Sequence, residues 1–337
     1  MRLLVTGGAG FVGSNVCLQL AERHPDWEVV ALDNLYRRGS ELNLPRFRAA
    51  GVSFVHADVR SKEDFAAVGP FDAMVECSAE PSVMAGGDVI VPVNLLGAWH
   101  CFEAAAAHDA HVIFLSTSRV YPIAGIEALP YEEAETRYEL VDRPGIAEDF
   151  PLAGARTMYG ASKLAGEFLL QEYGFPWTIN RCGVIAGPWQ MGKVDQGVFT
   201  HWVLSHVFDR PLKYIGYGGT GKQVRDLLHV DDLVDLVELQ LTERERWAGQ
   251  TFNVGGGRDG SLSLVETTAI CRELTGNDLP ITGEAATRAG DVRCYLSDCR
   301  ALFAHTDWRP RKSPRDVLRD IHVWITNHQD LVLSALG

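Results

Sequence analysis

Short apolar, β-branched runs recur along the first half of the chain, separated by longer stretches whose apolar residues return every three or four positions. The runs Arg2–Thr6, Glu28–Leu32, Ser53–His56, Ala73–Glu76, His111–Ser116 and Trp177–Arg181 predict strands. The stretches Phe11–Arg23, Asn94–Ala107 and Thr157–Tyr173 predict amphipathic helices. Strands alternating with helices imply an α/β protein with a parallel sheet covered on both faces. From about Ala186 the rhythm loosens, and Gly187-Pro188, Gly218-Gly219 and Gly255-Gly256-Gly257 separate shorter elements. The expected division is therefore a sheet domain over 1–185 and a smaller C-terminal region over 186–337, with some segments returning to the first domain. No internal repeat or low-complexity segment interrupts the pattern.

Length and charge narrow the classes of function. A chain of 337 residues with 46% apolar and 22% charged positions can bury a large core. The formal charge of -13 argues against a nucleic-acid surface, which needs clustered positive charge. No apolar run approaches the ~20 residues of a membrane span, so no membrane partner is expected. Met1-Arg2-Leu3-Leu4-Val5 runs directly into a glycine motif without a leader pattern, which points to the cytoplasm. Seven scattered cysteines with no CxxC pair read as free thiols, with neither disulfides nor a metal site.

Thr6-Gly7-Gly8-Ala9-Gly10-Phe11-Val12-Gly13 follows the first strand and opens the first helix. Glycines at 7, 10 and 13 permit a tight turn that brings backbone N–H groups, those of Phe11 and Val12 included, to a pyrophosphate at the helix N-terminus. Asp33, with Asn34 beside it, ends the second strand where a carboxylate binds the adenosine ribose hydroxyls. That carboxylate would repel a 2′-phosphate, so the expected cofactor is NAD rather than NADP. Arg37 and Arg38 weaken this preference without reversing it. Asp58-Val59, after the third strand, is placed to meet adenine or to cap the next helix. Ser78-Ala79, after the fourth, supplies small residues for the cofactor backbone to pass, or a plain turn.

Tyr159-Gly160-Ala161-Ser162-Lys163 sets a phenol and an amine four residues apart on one helical face. A free phenol, with a pKa of about 10, is too weakly acidic to serve as a base at neutral pH. A nearby ammonium and a positive nicotinamide both favour the phenolate, which makes Tyr159 a usable general base. Lys163 can also hold the nicotinamide ribose. The fifth strand ends in Ser116-Thr117-Ser118, whose hydroxyls can face the cofactor and bridge the substrate oxygen to Tyr159.

Together the glycine motif, Asp33, Ser116-Thr117 and Tyr159-x-x-x-Lys163 resemble the extended short-chain dehydrogenases/reductases, the NAD-dependent epimerase/dehydratase family. The likeness continues through Arg225-Asp226-Leu227-Leu228-His229-Val230-Asp231-Asp232 and Phe252-Asn253-Val254-Gly255-Gly256. Within the family the chain is most similar to CDP-tyvelose (CDP-paratose) 2-epimerases, through Asp33-Asn34-Leu35, the insert Glu135-Thr136-Arg137-Tyr138, Asp195-Gln196-Gly197 and Gly221-Lys222-Gln223-Val224-Arg225-Asp226. The resemblance implies a Rossmann-type doubly wound sheet, tightly held NAD and epimerisation at C2 of a nucleotide-diphosphate hexose. It implies Thr117, Tyr159 and Lys163 as the catalytic set. Gln196, Arg225 and Arg293 join Thr117 on the substrate, with Arg225 at the diphosphate or in a salt bridge to Asp226 or Asp231. Relatives form homodimers or homotetramers through helices such as Asn94–Ala107 and Thr157–Tyr173.

The chain also departs from its relatives. Glu76-Cys77-Ser78-Ala79-Glu80-Pro81 stands where His-x-Ala-Gly is usual, Pro122 follows Val120-Tyr121, and Arg181-Cys182-Gly183-Val184-Ile185 differs from the 2-epimerases. Ser118 and Arg119 occupy the positions of the Asp-Glu pair that a 4,6-dehydratase uses for water elimination, and a glucuronate decarboxylase would carry a glutamate at 119. Both activities are disfavoured. A 4-epimerase would use the same catalytic residues on another carbon, and a non-catalytic NAD sensor would not need Tyr159 and Lys163 together.

Overall fold

The computed structural model describes residues 1–192 and 196–336. All six expected strands form, three of them slightly longer than the apolar runs alone suggest: Glu28–Asp33, His111–Thr117 and Trp177–Cys182. The expected helices at Phe11–Arg23 and Thr157–Tyr173 form as Phe11–Arg23 and Met158–Gln171. Seven strands make one sheet in the order Gln250–Val254, Trp177–Cys182, His111–Thr117, Ala73–Glu76, Arg2–Thr6, Glu28–Asp33, Ser53–His56. The pairs from His111–Thr117 across to Ser53–His56 are parallel. Strand order reverses between Arg2–Thr6 and Ala73–Glu76, the place where doubly wound sheets open a crevice at their carboxyl ends. The Rossmann-type architecture is the one expected.

Register decides what meets at that crevice. Thr6 stands level with Leu32 on one side and Glu76 on the other, so Gly7 and Cys77 leave the sheet together beside Asp33, the last residue of its strand. Beneath them, Leu4, Val30, Leu32, Met74, Val112, Phe114 and Ile179 form a closed apolar layer with Ala98, Cys101, Phe102 and Ala105 of a covering helix. The Phe102 and Phe114 rings meet edge to face at 5.5 Å.

That covering helix corrects two expectations. It starts at Gly87 rather than Asn94 and runs to Ala106, with a widened π-turn over Val91–Leu96. At 20 residues it is long and apolar enough to cross a membrane by length and composition. A single such helix is weak evidence for a span, and here Ile90, Asn94, Ala98, Cys101, Phe102 and Ala105 are buried within the protein. Its apolarity suits a helix packed on a sheet.

The chain divides into two units of near-equal size, both discontinuous. The first comprises Met1–Val120, Met158–Arg181 and Leu233–Thr251, and the second Tyr121–Thr157, Cys182–Asp232 and Phe252–Gly337. A single boundary near 185 does not describe this arrangement, and the second unit is not smaller. Residues 121–157 belong with the C-terminal segments because their backbone pairs there: Tyr138 N–H donates to Lys222 at 3.0 Å and Ile146 N–H to Leu296 at 2.8 Å. Leu233–Thr251 returns to the sheet unit, where Gln240 and Asn180 exchange amide hydrogen bonds at 2.8 and 2.9 Å. Within the second unit, Val224–His229 pairs in parallel with Val184–Ala186 and Cys294–Tyr295 and antiparallel with Ser261–Ser263. The helix Leu264–Thr275 starts on a capping box between Ser263 and Glu266.

Candidate active site

The glycine turn has the form an adenosine pyrophosphate requires. Gly7 has a left-handed φ of 60°, and a Cβ there would stand 2.8 Å from the Ser78 Cα. A Cβ on Gly13 would overlap the Gly7 carbonyl oxygen, so only glycine lets the helix start this close to the turn. No side chain caps the helix at Gly10, which leaves its first N–H groups for a ligand anion. Asp33, almost wholly buried, accepts from Ala9 N–H at 3.0 Å and Leu35 N–H at 2.8 Å. Burial pushes its pKa up, and those N–H donors oppose the shift. The residues present therefore fit NAD, and the N–H groups of Phe11, Val12 and Gly13 are the ones that would hold its pyrophosphate.

Asn34 joins this group through its amide, which donates to Asp58 at 2.9 Å. The Asp58 carboxylate also pairs with Arg60 at 2.6 Å, and that hydrogen bond holds its pKa at about 2. Val59 points away from solvent into the apolar layer beneath the sheet, so its side chain is a packing group. A Cβ on Gly97 of the long helix would stand 2.6 Å from Val59 Cγ2.

The catalytic candidates lie at the end of the fifth strand and on the helix Met158–Gln171. Thr117 is buried, and its hydroxyl accepts from Arg119 N–H at 3.2 Å. Tyr159 is half-buried and Lys163 fully buried one turn further on. The helix meets the strand end closely because residue 160 is glycine: a Cβ there would overlap the Arg119 carbonyl oxygen. Lys163 Nζ donates to Glu76 Oε2 at 3.1 Å and to the Ser78 carbonyl at 3.5 Å, and lies 4.5 Å from the centre of the Phe114 ring. The Ser78 hydroxyl bonds the same Glu76 carboxylate, and Ala79 follows it half-buried.

Three buried groups under this helix went unassigned in the sequence. Glu167 accepts from Arg181 at 2.7 Å and from the Ser116 hydroxyl, pinning the helix to two strands. The Ser116 hydroxyl is thus committed to the scaffold. Asn94, inside the π-turn, bonds the Glu80 backbone in both directions at 2.7 and 3.0 Å and donates to the Ser162 hydroxyl at 3.3 Å. The signal that could have found Glu167 and Arg181 is opposite charge on otherwise apolar core faces, since buried charges come paired.

Of the expected substrate residues, Thr117 belongs to the first unit and Gln196, Arg225 and Arg293 to the second. Arg225 pairs with Asp291, not with Asp226 or Asp231, and also donates to the carbonyls of Val224 at 2.7 Å and Val292 at 2.8 Å. Asp226 is fully buried and accepts from Gly257 and Ser297 N–H groups at 3.2 and 3.1 Å. Arg293 pairs with Glu127 at 2.8 Å and lies over the rings of Tyr131 and Tyr217, 5.8 and 5.3 Å from their centres. Gln196 is half-buried, while Asp195 beside it lies outside the described residues. In the insert, Thr136 and Arg137 bond Glu266 at 3.1 and 3.4 Å, and Arg137 also bonds Ser261 at 2.6 Å. The Thr136 hydroxyl and both terminal guanidinium nitrogens of Arg137 are thus occupied within the unit. None of the seven cysteines is in a disulfide, and among the described residues no cluster of three or more His, Cys, Asp or Glu side chains could hold a metal.

Comparison with known proteins places this geometry. Residues 3–255 match the model of the NAD dependent epimerase/dehydratase family. The CDP-paratose 2-epimerase of Salmonella typhi is 28% identical over 97% of this chain and 100% of its own length. The UDP-glucose 4-epimerase of Thermus thermophilus, solved with NAD, superposes with a TM-score of 0.77 at 27% identity, covering 97% of this chain and 99% of that one. The dTDP-glucose 4,6-dehydratase of Streptomyces venezuelae, also solved with NAD, gives 0.80 at 28% identity over 98% of both chains.

Proposed function

Since the chain belongs to the NAD-dependent epimerase/dehydratase family, we propose that it epimerises a nucleotide-diphosphate hexose at C2 through a transient ketosugar. The observation that carries epimerisation over dehydration is the residue pair after Thr117. Water elimination needs an acid and a base there, and Ser118 and Arg119 supply neither in the needed form. Bound NAD supplies a hydride acceptor that becomes the donor of the same hydride. Tyr159 takes the hydroxyl proton of the reacting carbon and returns it, Thr117 orients that hydroxyl, and Lys163 favours the phenolate. The cycle consumes no external oxidant.

The choice of C2 rests on the likeness to CDP-paratose 2-epimerase along its full length. Epimerisation at C4 is the second reading, favoured by the likeness to UDP-glucose 4-epimerase. Substrate deuterated at C2 or C4 separates them. A primary isotope effect and inverted product at C2 are expected, and an effect confined to C4 would overturn the choice of carbon. The diphosphate falls to Arg225, with Arg293 and Gln196 completing the substrate contacts of the second unit. For assembly, Leu96, Trp99 and Phe168 stand 45%, 40% and 54% exposed on the helices Gly87–Ala106 and Met158–Gln171. Large apolar side chains left in water on these helices suit a homodimer or a homotetramer built from it. Seven cysteines with no disulfide among them suit a reducing cytoplasm.

A further inference from the structure

We infer that Glu76 is a positioning residue for the reaction, one that aims the Lys163 ammonium and offsets its charge, so that the proton on Tyr159 is held more firmly than the lysine alone would allow. The inference rests on the proposed role of Tyr159 as the base, whichever carbon reacts.

Glu76 ends the fourth strand and is wholly buried, in line with Thr6 and next to the glycine turn. A lone carboxylate at this depth would be strongly disfavoured, so its surroundings must justify it. They do so with two donors: Lys163 Nζ at 3.1 Å and the Ser78 hydroxyl. Lys163 in turn has few alternatives. It is 2% exposed at the side chain, with the Ser78 carbonyl at 3.5 Å and the Phe114 ring face at 4.5 Å.

The consequence is electrostatic. Lys163 stands one helical turn from Tyr159, and an ammonium there would by itself favour the phenolate. With Glu76 in contact, the pair carries no net charge, and the attraction on the phenolate is cut back. Burial alone would lower the lysine's pKa, whereas Glu76 and Tyr159 raise it, so the ammonium persists. The position is one where relatives usually carry histidine, which could not supply a fixed negative charge. A purely structural ion pair would not tie its geometry to the titration of a third group.

The test reads the phenol and not the sugar. In the NAD-bound enzyme, Tyr159 ionisation is followed by phenolate absorbance, taking the difference between each variant and its Tyr159→Phe counterpart. Glu76→Gln keeps an acceptor for Lys163 and Ser78 while removing the charge. We expect it to move Tyr159 ionisation down by about one pH unit, the scale on which a nearby charge acts. An unmoved or raised midpoint would overturn the inference. Because removing one partner of a buried pair can unfold a protein, Glu76→Gln combined with Lys163→Met supplies a neutral reference. Its midpoint is expected at or above that of the wild type, and a lowered midpoint would equally overturn the inference. No nucleotide sugar enters the measurement, so an error over the reacting carbon leaves it intact. Failure of Tyr159→Phe to abolish turnover would instead reject the underlying assignment.

Discussion

The two units differ in how much of their chemistry is fixed by backbone and how much by side chains. In the first, Gly7, Gly13 and Gly160 are each held to glycine by a close approach of main chain, and the functional groups follow from that geometry. In the second, Arg225 and Arg293 are held by Asp291 and Glu127, carboxylates that an anionic substrate would have to displace or share. Backbone constraints leave fixed spacings in a sequence. Side-chain pairs across 66 or 166 residues leave none. On the proposed function, the first unit would be the frame for chemistry common to the family, and the second would set substrate choice.

Single substitutions in each unit should separate these roles. Tyr159→Phe removes the phenol oxygen and keeps the ring, so turnover is expected to fall by about 10²–10⁴-fold while NAD stays bound. Arg225→Met is expected to raise KM for the nucleotide sugar on the order of 10-fold, with a smaller change in kcat, because it removes binding present before and during reaction. Initial rates over a range of substrate, with the nucleotide content of the purified protein, check both. Near-normal turnover in the first variant, or a kcat loss without a KM change in the second, would erase the distinction.

The same contrast explains what the sequence made legible. Alternating runs placed six strands of the sheet, because a parallel strand buried on both faces must be apolar along its whole length. The glycine turn, Asp33 and the Tyr159/Lys163 pair were readable because each depends on local spacing. Glu167 and Arg181 were not, since their meaning comes from a contact between a helix and a strand. Nor was the place of residues 121–157 in the second unit, because that stretch is too irregular for periodicity to assign it a partner, whereas a return of C-terminal segments to the first unit was expected and Leu233–Thr251 makes one. The covering helix starts earlier than the expected Asn94, because Gly86, Gly87 and Pro92 break the apolar spacing before it. The π-turn absorbs that proline, and the helix continues through it.

A comparison can also be drawn along one strand. Thr117 ends the fifth strand at the proposed site of chemistry, whereas His111 begins it at the opposite end, bonded to the Thr178 hydroxyl at 3.2 Å. Burial first, and then Arg244, lower the His111 pKa to about 4. The unfolded chain protonates this imidazole near pH 6.5 and the folded protein does not, so stability is full above that pH and is lost as pH falls towards 4. The loss is expected to approach about 1.4 kcal/mol per pH unit within that window. Denaturant unfolding between pH 7 and 4, on the wild type and His111→Gln, measures it. An unchanged slope in the variant would assign the acid sensitivity to other groups.

The smallest expected effect concerns the insert, and it bears on how far substrate choice spreads within the second unit. Its sequence resembles segments of 2-epimerases, which would make it a candidate for setting the orientation of the sugar. In the folded protein, however, Arg137 bonds Ser261 at 2.6 Å and pairs with Glu266, the residue that also caps the helix Leu264–Thr275. Thr136 bonds the same Glu266 at 3.1 Å. Those contacts occupy the Thr136 hydroxyl and both terminal nitrogens of Arg137, and they make the insert a brace for that helix. Arg137→Met keeps most of the side chain's apolar length while deleting its donors. It should cost about 1 kcal/mol, the usual worth of such hydrogen bonds. For a chain of this size that is a fall of a few degrees or less in Tm. Product stereochemistry and KM should stay as in the wild type. If Arg137→Met instead melted normally but changed KM or the carbon inverted, the insert would belong with Arg225 and Arg293 as part of the substrate surface.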